Sequence, residues 1–316
     1  MNIIFMGTPD FAVPALKKIA NTADLNISAV VTQPDRARGR GQKVSYSAIK
    51  QTALKLDLPV LQNENVNQPE FLEKLKKLKP DFLIVVAFGQ KLSVELLELP
   101  TYSAINLHAS LLPEYRGSSP IYRAIIDGKK ITGNTTMHMG PGWDDGDIIY
   151  QQEVVIEAAM TVGDLHDKLA RSGADLLVKT IHDVAAGTAP RQQQNDQQAT
   201  FAYKIDKSLG KIDWQQSAQE IFNLIRGVNP WPGAYTDFAG QKMKIWQAEP
   251  VINPDFDLSQ KAKSGTVVKA DLKSGLLIKT GNGLLAIKKL QLPGGKKMTA
   301  HDFLNGYQLK EGSILE

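Results

Sequence analysis

Phe82-Leu83-Ile84-Val85-Val86-Ala87 is an apolar run without a polar break. A strand with one wet face alternates apolar and polar residues; a continuous run marks a strand covered on both faces, as in a parallel sheet. Working outward, Ile3-Ile4-Phe5-Met6 reads the same way, residues 27–31 are a second strand, and 59–61 is a shorter one. Gly7-Thr8-Pro9-Asp10 turns the first strand into a helix with Phe11, Leu16 and Ile19 on one side, and helical stretches follow near 46–56 and 67–78. Strands alternating with helices predict an α/β domain, a doubly wound, mostly parallel sheet.

The second half changes character. A strand at 148–156 leads to a long helix that opens on Thr161 and Asp164, a capping-box pattern, and stops at Gly187. Residues 188–200 are Gln-rich and weakly patterned, which reads as a linker. A helix at 217–226 then runs into the rigid turn Asn229-Pro230-Trp231-Pro232-Gly233. Short strands at 242–247, 264–269, 275–279 and 284–290, separated by Gly, Pro and Asn, and a short helix near 299–305 predict a smaller C-terminal β-barrel. The expected organisation is a catalytic domain over 1–187, a linker over 188–204 and the barrel over 205–316.

Composition narrows the function classes. The chain has 316 residues, 42% of them apolar, enough for two domains with real cores. No apolar run is long enough to span a membrane, and the N-terminus enters a strand directly, so neither a transmembrane helix nor a signal peptide is expected. Cysteine is absent, which excludes disulfides and thiolate nucleophiles and fits a cytoplasmic location. The net charge of +4 is uneven: residues 205–316 hold 15 basic and 11 acidic side chains, so the whole excess lies there. Such a basic appendage suits either an anionic partner such as nucleic acid or a solvated surface.

Chemistry concentrates in two segments. In Ala104-Ile105-Asn106-Leu107-His108, the period-2 spacing puts Asn106 and His108 on one face at a strand exit. Trp143-Asp144-Asp145-Gly146-Asp147 supplies carboxylates, of which Asp144 can orient the imidazole. A hydrogen-bond donor, a proton handler near neutral pH and a carboxylate together suit acyl transfer onto an amine. Ser110-Leu111-Leu112-Pro113 is either a plain turn or a lining for a flat ring. Arg36, Arg38, Arg40 and Lys43 oppose only Asp35 in a loop made pliable by Gly39 and Gly41, which is either a clamp on a nucleic-acid backbone or an ordinary surface loop. The five histidines lack metal-ligand spacing, so no metal is expected. Gly7-Thr8-Pro9 lacks the glycine spacing of a dinucleotide site, and Pro9 removes an N–H an anion would use.

Asn106-x-His108, Ser110-Leu111-Leu112-Pro113 and Gly142-Trp143-Asp144-Asp145-Gly146-Asp147 together resemble the 10-formyltetrahydrofolate-dependent formyltransferases. Phe5-Met6-Gly7-Thr8-Pro9-Asp10-Phe11-Ala12, Thr32-Gln33-Pro34-Asp35-Arg36 with Gly39-Arg40-Gly41, Asn229-Pro230-Trp231-Pro232 and Met298-Thr299-Ala300-His301-Asp302-Phe303-Leu304 resemble the branch that formylates the methionine carried by initiator tRNA. The resemblance covers nearly the whole chain. Ala109 stands where the family commonly has Gly, and Met139-Gly140-Pro141-Gly142-Trp143 departs from its commoner, Leu-preceded form.

The resemblance implies a Rossmann-like catalytic domain, an OB-like barrel that binds tRNA, and a monomer that takes its formyl group from 10-formyltetrahydrofolate. It implies Asn106, His108 and Asp144 as catalytic, Ser110–Pro113 as folate-binding, and Arg36, Arg38, Arg40 and Lys43 as tRNA-binding. Formylation of an amino-sugar nucleotide is the alternative, disfavoured by the Arg-Gly loop. A nicotinamide-dependent oxidoreductase lacks its glycine fingerprint here. A noncatalytic tRNA-binding protein would have no use for the intact Asn106–His108–Asp144 set.

Overall fold

The computed structural model describes residues 1–38, 43–251 and 262–316. The chain divides into two compact units. One comprises Met1–Pro120, Ile131–Val155 and His166–Tyr203; the other comprises Ile121–Lys130, Ile156–Leu165 and Lys204–Glu316.

The first unit is built on β1 (Asn2–Gly7), β2 (Asn26–Thr32), β3 (Arg36–Arg38), β4 (Lys43–Ser45), β5 (Val60–Gln62), β6 (Phe82–Val86), β7 (Ser103–His108), β8 (Ile131–His138) and β9 (Ile148–Val155). Seven of these strands form one sheet in the order β5-β2-β1-β6-β7-β8-β9, while β3 and β4 make a separate two-stranded sheet. Pairing is parallel from β5 through β7 and antiparallel for β7–β8 and β8–β9. Ile3, Ile4, Phe5, Met6 and all of β6 are buried, as strands covered on both faces must be. Each such large side chain stabilises the fold by about 1.5–3 kcal/mol.

Helices α1 (Val13–Ala20), α2 (Ala48–Lys55), α3 (Pro69–Lys76) and α4 (Val94–Leu97) fill the crossovers. Ser47 and Ser93 cap α2 and α4 by accepting from Lys50 N and Leu96 N. Helices α5 (Pro120–Ile126) and α6 (Val162–Ala185) each have residues in both units. The chain runs outward from β1 to β5, returns to β6 beside β1, and continues to β7. Ligands of open α/β sheets bind at the strand carboxyl ends near such a reversal, and β7 delivers Asn106 and His108 to that edge.

The second unit is antiparallel. Strands β10 (Ala234–Phe238), β11 (Gln241–Val251), β12 (Val267–Asp271), β13 (Gly275–Lys279), β14 (Leu284–Gln291) and β15 (Met298–Thr299) form a six-stranded sheet, ordered β10-β11-β14-β13-β12 with β15 on β14. Ala239 and Gly240, with φ of 49° and 73°, turn β10 into β11; two left-handed residues match the strand twist of a tight hairpin. Helices α7 (Ala218–Gly227) and α8 (Ala300–Gly306) start at complete capping boxes, Ser217 with Glu220 and Thr299 with Asp302. Ile221, Ile225, Met243, Ile245, Ile278, Leu285 and Phe303 belong to the core. This is the strand set of an OB-like domain. Its first strand, 234–238, was not foreseen from the sequence, since Ala-Tyr-Thr-Asp-Phe has no apolar run of its own.

Candidate active site

Asn106 and His108 lie near the exit of β7, buried, with Asn106 opposite Val85 of β6 and His108 opposite Thr135 of β8. His108 Nε2 lies 3.0 Å from the carbonyl oxygen of Tyr115. A carbonyl only accepts, so Nε2 carries a proton, and in the neutral ring the lone pair is on Nδ1. That Nδ1 faces Asp144 Oδ2 at 3.7 Å, too far for a direct hydrogen bond. The imidazole is therefore oriented by the Tyr115 backbone, and Asp144 acts across a short gap as a charge.

Asp144 is itself held. Its Oδ2 accepts from Gly117 N at 2.8 Å and its Oδ1 lies 3.4 Å from Asn106 Nδ2. Asp144 takes a left-handed φ of 51°, and Gly117 has φ 113°. A Cβ on Gly117 would come within 2.8 Å of Ala202 O, so glycine alone lets the backbone approach there. The structure thus brings together the three residues that the sequence singled out.

The Ser110–Pro113 segment divides its roles. Ser110 is fully buried; its Oγ donates to Glu114 O at 2.6 Å, and its carbonyl accepts from Thr135 Oγ1 at 2.6 Å. Leu112 packs with Met137 and Ile148, its N–H donating to Thr135 Oγ1. Leu111 and Pro113 remain half-exposed. Gln151 Nε2 donates to Leu112 O at 2.8 Å. Polar side chains of β8 and β9 therefore fix this loop.

The arginine-rich stretch supplies β3 and β4, paired antiparallel with Arg38 opposite Lys43. It follows the carboxyl end of β2, the same sheet edge to which parallel β7 delivers Asn106 and His108. Arg36 is exposed, with Nη2 on Glu64 Oε2 at 3.2 Å. Arg40 lies outside the described residues.

Two further residues complete the site: Arg116, in the loop that continues from Pro113, and Gln194, which sequence reasoning did not single out. Gln194 is buried; its Nε2 donates to Asp144 O at 2.8 Å and Gly146 O at 2.7 Å. Its Oε1 accepts from Arg116 Nε at 3.1 Å and Nη2 at 2.9 Å. Arg116 Nη2 also reaches Asp196 Oδ1 at 2.8 Å. Gln194 buckles the loop after β7 to the Asp144 loop, from within the Gln-rich stretch read as a linker. A single Gln among many has no local signature, so nothing in the sequence marks it.

Family models describe both parts of the chain. One for formyl transferase matches residues 1–181, and one for the formyl transferase C-terminal domain matches 204–308. The chain belongs to the formyltransferase family. This formyltransferase is 54% identical to the methionyl-tRNA formyltransferase of Halothermothrix orenii and 47% identical to that of Clostridium beijerinckii, in each case over 100% of both chains. Among solved structures it is similar to the N-formyltransferase of Helicobacter canadensis, crystallised with folinic acid and dTDP-3-aminofucose. That likeness has a TM-score of 0.66 at 20% identity and covers 94% of this chain and 99% of the other. At such identity the likeness is one of fold. Among the described residues no three His, Asp or Glu converge as metal ligands, and no helix is long and apolar enough to cross a membrane.

Proposed function

We propose that this formyltransferase moves the formyl group of 10-formyltetrahydrofolate onto the α-amine of methionine esterified to initiator tRNA. The observation that carries the reading is full-length identity of 54% to a methionyl-tRNA formyltransferase, joined to a site whose chemistry suits the reaction. Asn106 makes one long hydrogen bond, to Asp144, and its second amide proton meets no partner among the described residues. That spare donor suits a folate with a carbonyl-like oxygen to be held.

Bound formyltetrahydrofolate supplies an electrophilic formyl carbon. Asn106 donates to the formyl oxygen as negative charge develops on it. His108 takes the proton of the attacking amine at Nδ1, the nitrogen left free by the Tyr115 bond, and Asp144 stabilises the resulting imidazolium. As the bond between the formyl carbon and the folate nitrogen breaks, His108 gives that proton from Nδ1 to the departing nitrogen, which leaves as the neutral amine of tetrahydrofolate. The basic stretch of Arg36, Arg38, Arg40 and Lys43 contacts the acceptor end of the tRNA.

The test is transfer of labelled formyl to methionyl initiator tRNA, with uncharged tRNA and a UDP-amino-sugar as parallel acceptors. Acid-stable label on methionine is expected, and Asn106→Ala lowers kcat by about 10²–10³. Label on the sugar alone would keep the chemistry and overturn the tRNA reading.

A further inference from the structure

Residues 200–203 run extended along 116–119. Arg116 N donates to Thr200 O at 2.8 Å, Ala202 N to Arg116 O at 2.8 Å, and Ser119 N to Ala202 O at 3.1 Å. Ala202 is fully buried by this pairing. Side chains alternate along an extended segment, so Phe201 and Tyr203 both point away, 53% and 78% exposed. Their rings lie nearly parallel, 13° apart with centroids 6.1 Å apart. Single exposed apolar residues are ordinary; two nearly parallel, exposed rings on a pinned backbone make an aromatic surface that offers a π-face to a planar ligand.

The position of that surface matters. Gly117, next to Arg116, donates to Asp144 Oδ2, and Ala202 O sits against Gly117. The aligned rings are thus carried on the strip of backbone that holds the proposed catalytic carboxylate. When the acceptor amine is at His108 and Asp144, the next groups along the covalent chain are the ester, the 3′-terminal ribose and its base.

We propose that Phe201 and Tyr203 form a stacking platform for the base of the acceptor's 3′-terminal nucleotide. The inference rests on the tRNA reading above. Stacking on an aromatic face tolerates any base, so the platform positions the ester without reading sequence. Replacing both rings, Phe201→Ala with Tyr203→Ala, is expected to raise KM for methionyl-tRNA about 10-fold and leave KM for formyltetrahydrofolate unchanged. The conservative pair Phe201→Tyr with Tyr203→Phe restores it.

Initiator tRNA carrying 2-aminopurine at its 3′ terminus gives a direct readout. Its fluorescence falls on binding the wild-type chain and the conservative pair, and does not fall on binding the double-alanine chain. Unchanged quenching and KM in the double-alanine chain would overturn the platform, as would a rise in folate KM alone. Wild-type protein that formylates no tRNA would instead sink the functional reading, whatever the quenching shows.

Discussion

His138 accepts or shares a hydrogen bond with Ser103 Oγ through Nδ1 at 2.7 Å, and its backbone N–H donates to Asp147 O at 2.9 Å. Burial holds its pKa below the usual histidine value; Arg191 adds to the depression and Asp147 opposes it. His108, on the neighbouring strand, spends Nε2 on a backbone carbonyl and keeps Nδ1 for chemistry, whereas His138 is a neutral anchor beneath the Asp144 loop. The folded chain takes up a proton at His138 less readily than the unfolded chain. Stability is therefore full above the ordinary histidine pKa of about 6.5 and is lost as pH falls below it, toward the depressed folded value. His138→Gln keeps a polar partner for Ser103 and has no proton to gain. Urea midpoints measured at pH 7.5 and 5.5 should differ less in His138→Gln than in the parent chain. Equal differences would show that His138 does not contribute to acid sensitivity.

Three segments far apart in sequence converge on the site, and their attachment makes a second prediction. Gln194→Glu keeps an acceptor for Arg116 but removes both amide protons, leaving Asp144 O and Gly146 O facing a carboxylate. A displaced carboxylate costs rate steeply, about 10²-fold per 1 Å, so kcat should fall about 10–100-fold. Lost hydrogen bonds cost about 1–3 kcal/mol of stability. Unchanged kcat in a stably folded variant would remove Gln194 from the positioning argument. The same elements show what the sequence made legible. The apolar runs of β1 and β6 announced a sheet buried on both faces, and the Asn106-x-His108 spacing announced one strand face. Strand β8 was invisible, because Ile131-Thr-Gly-Asn-Thr-Thr-Met-His has no apolar pattern. Apart from Met137 and Gly133 its buried residues are polar, and hydrogen bonds hold them: Thr135 to the Ser110 loop, Thr136 to Thr180, and the Asn134 amide N–H groups to Leu169 O and Ser172, with Asn134 Oδ1 left without a partner among the described residues. Hydrophobic periodicity cannot register a strand whose buried side chains are mostly polar and bond to partners 25 to 44 residues away in sequence.

Charge is distributed over the chain by unit, and this sets how the molecule meets a polyanion. Residues 205–316 carry the whole positive excess, and the turn Pro293-Gly-Gly-Lys-Lys297 between β14 and β15 exposes two adjacent lysines. Lys297 Nζ lies 3.4 Å from the centroid of a Trp246 ring, which fixes one of the two charges in place. Lysines that neutralise phosphates release condensed counterions, so the logarithm of affinity falls linearly with the logarithm of salt concentration. Each phosphate contact contributes a slope of about −0.7 to −0.9. If these lysines contact the tRNA, Lys296→Ala with Lys297→Ala should make the salt dependence of KM for methionyl-tRNA shallower by about two units of slope. The full-length chain is the material to use, with KM taken over a several-fold range of KCl at constant pH. A weaker KM with an unchanged slope would mean that the substitutions act through Trp246 packing. An unchanged KM and slope would place the tRNA backbone elsewhere on the basic unit.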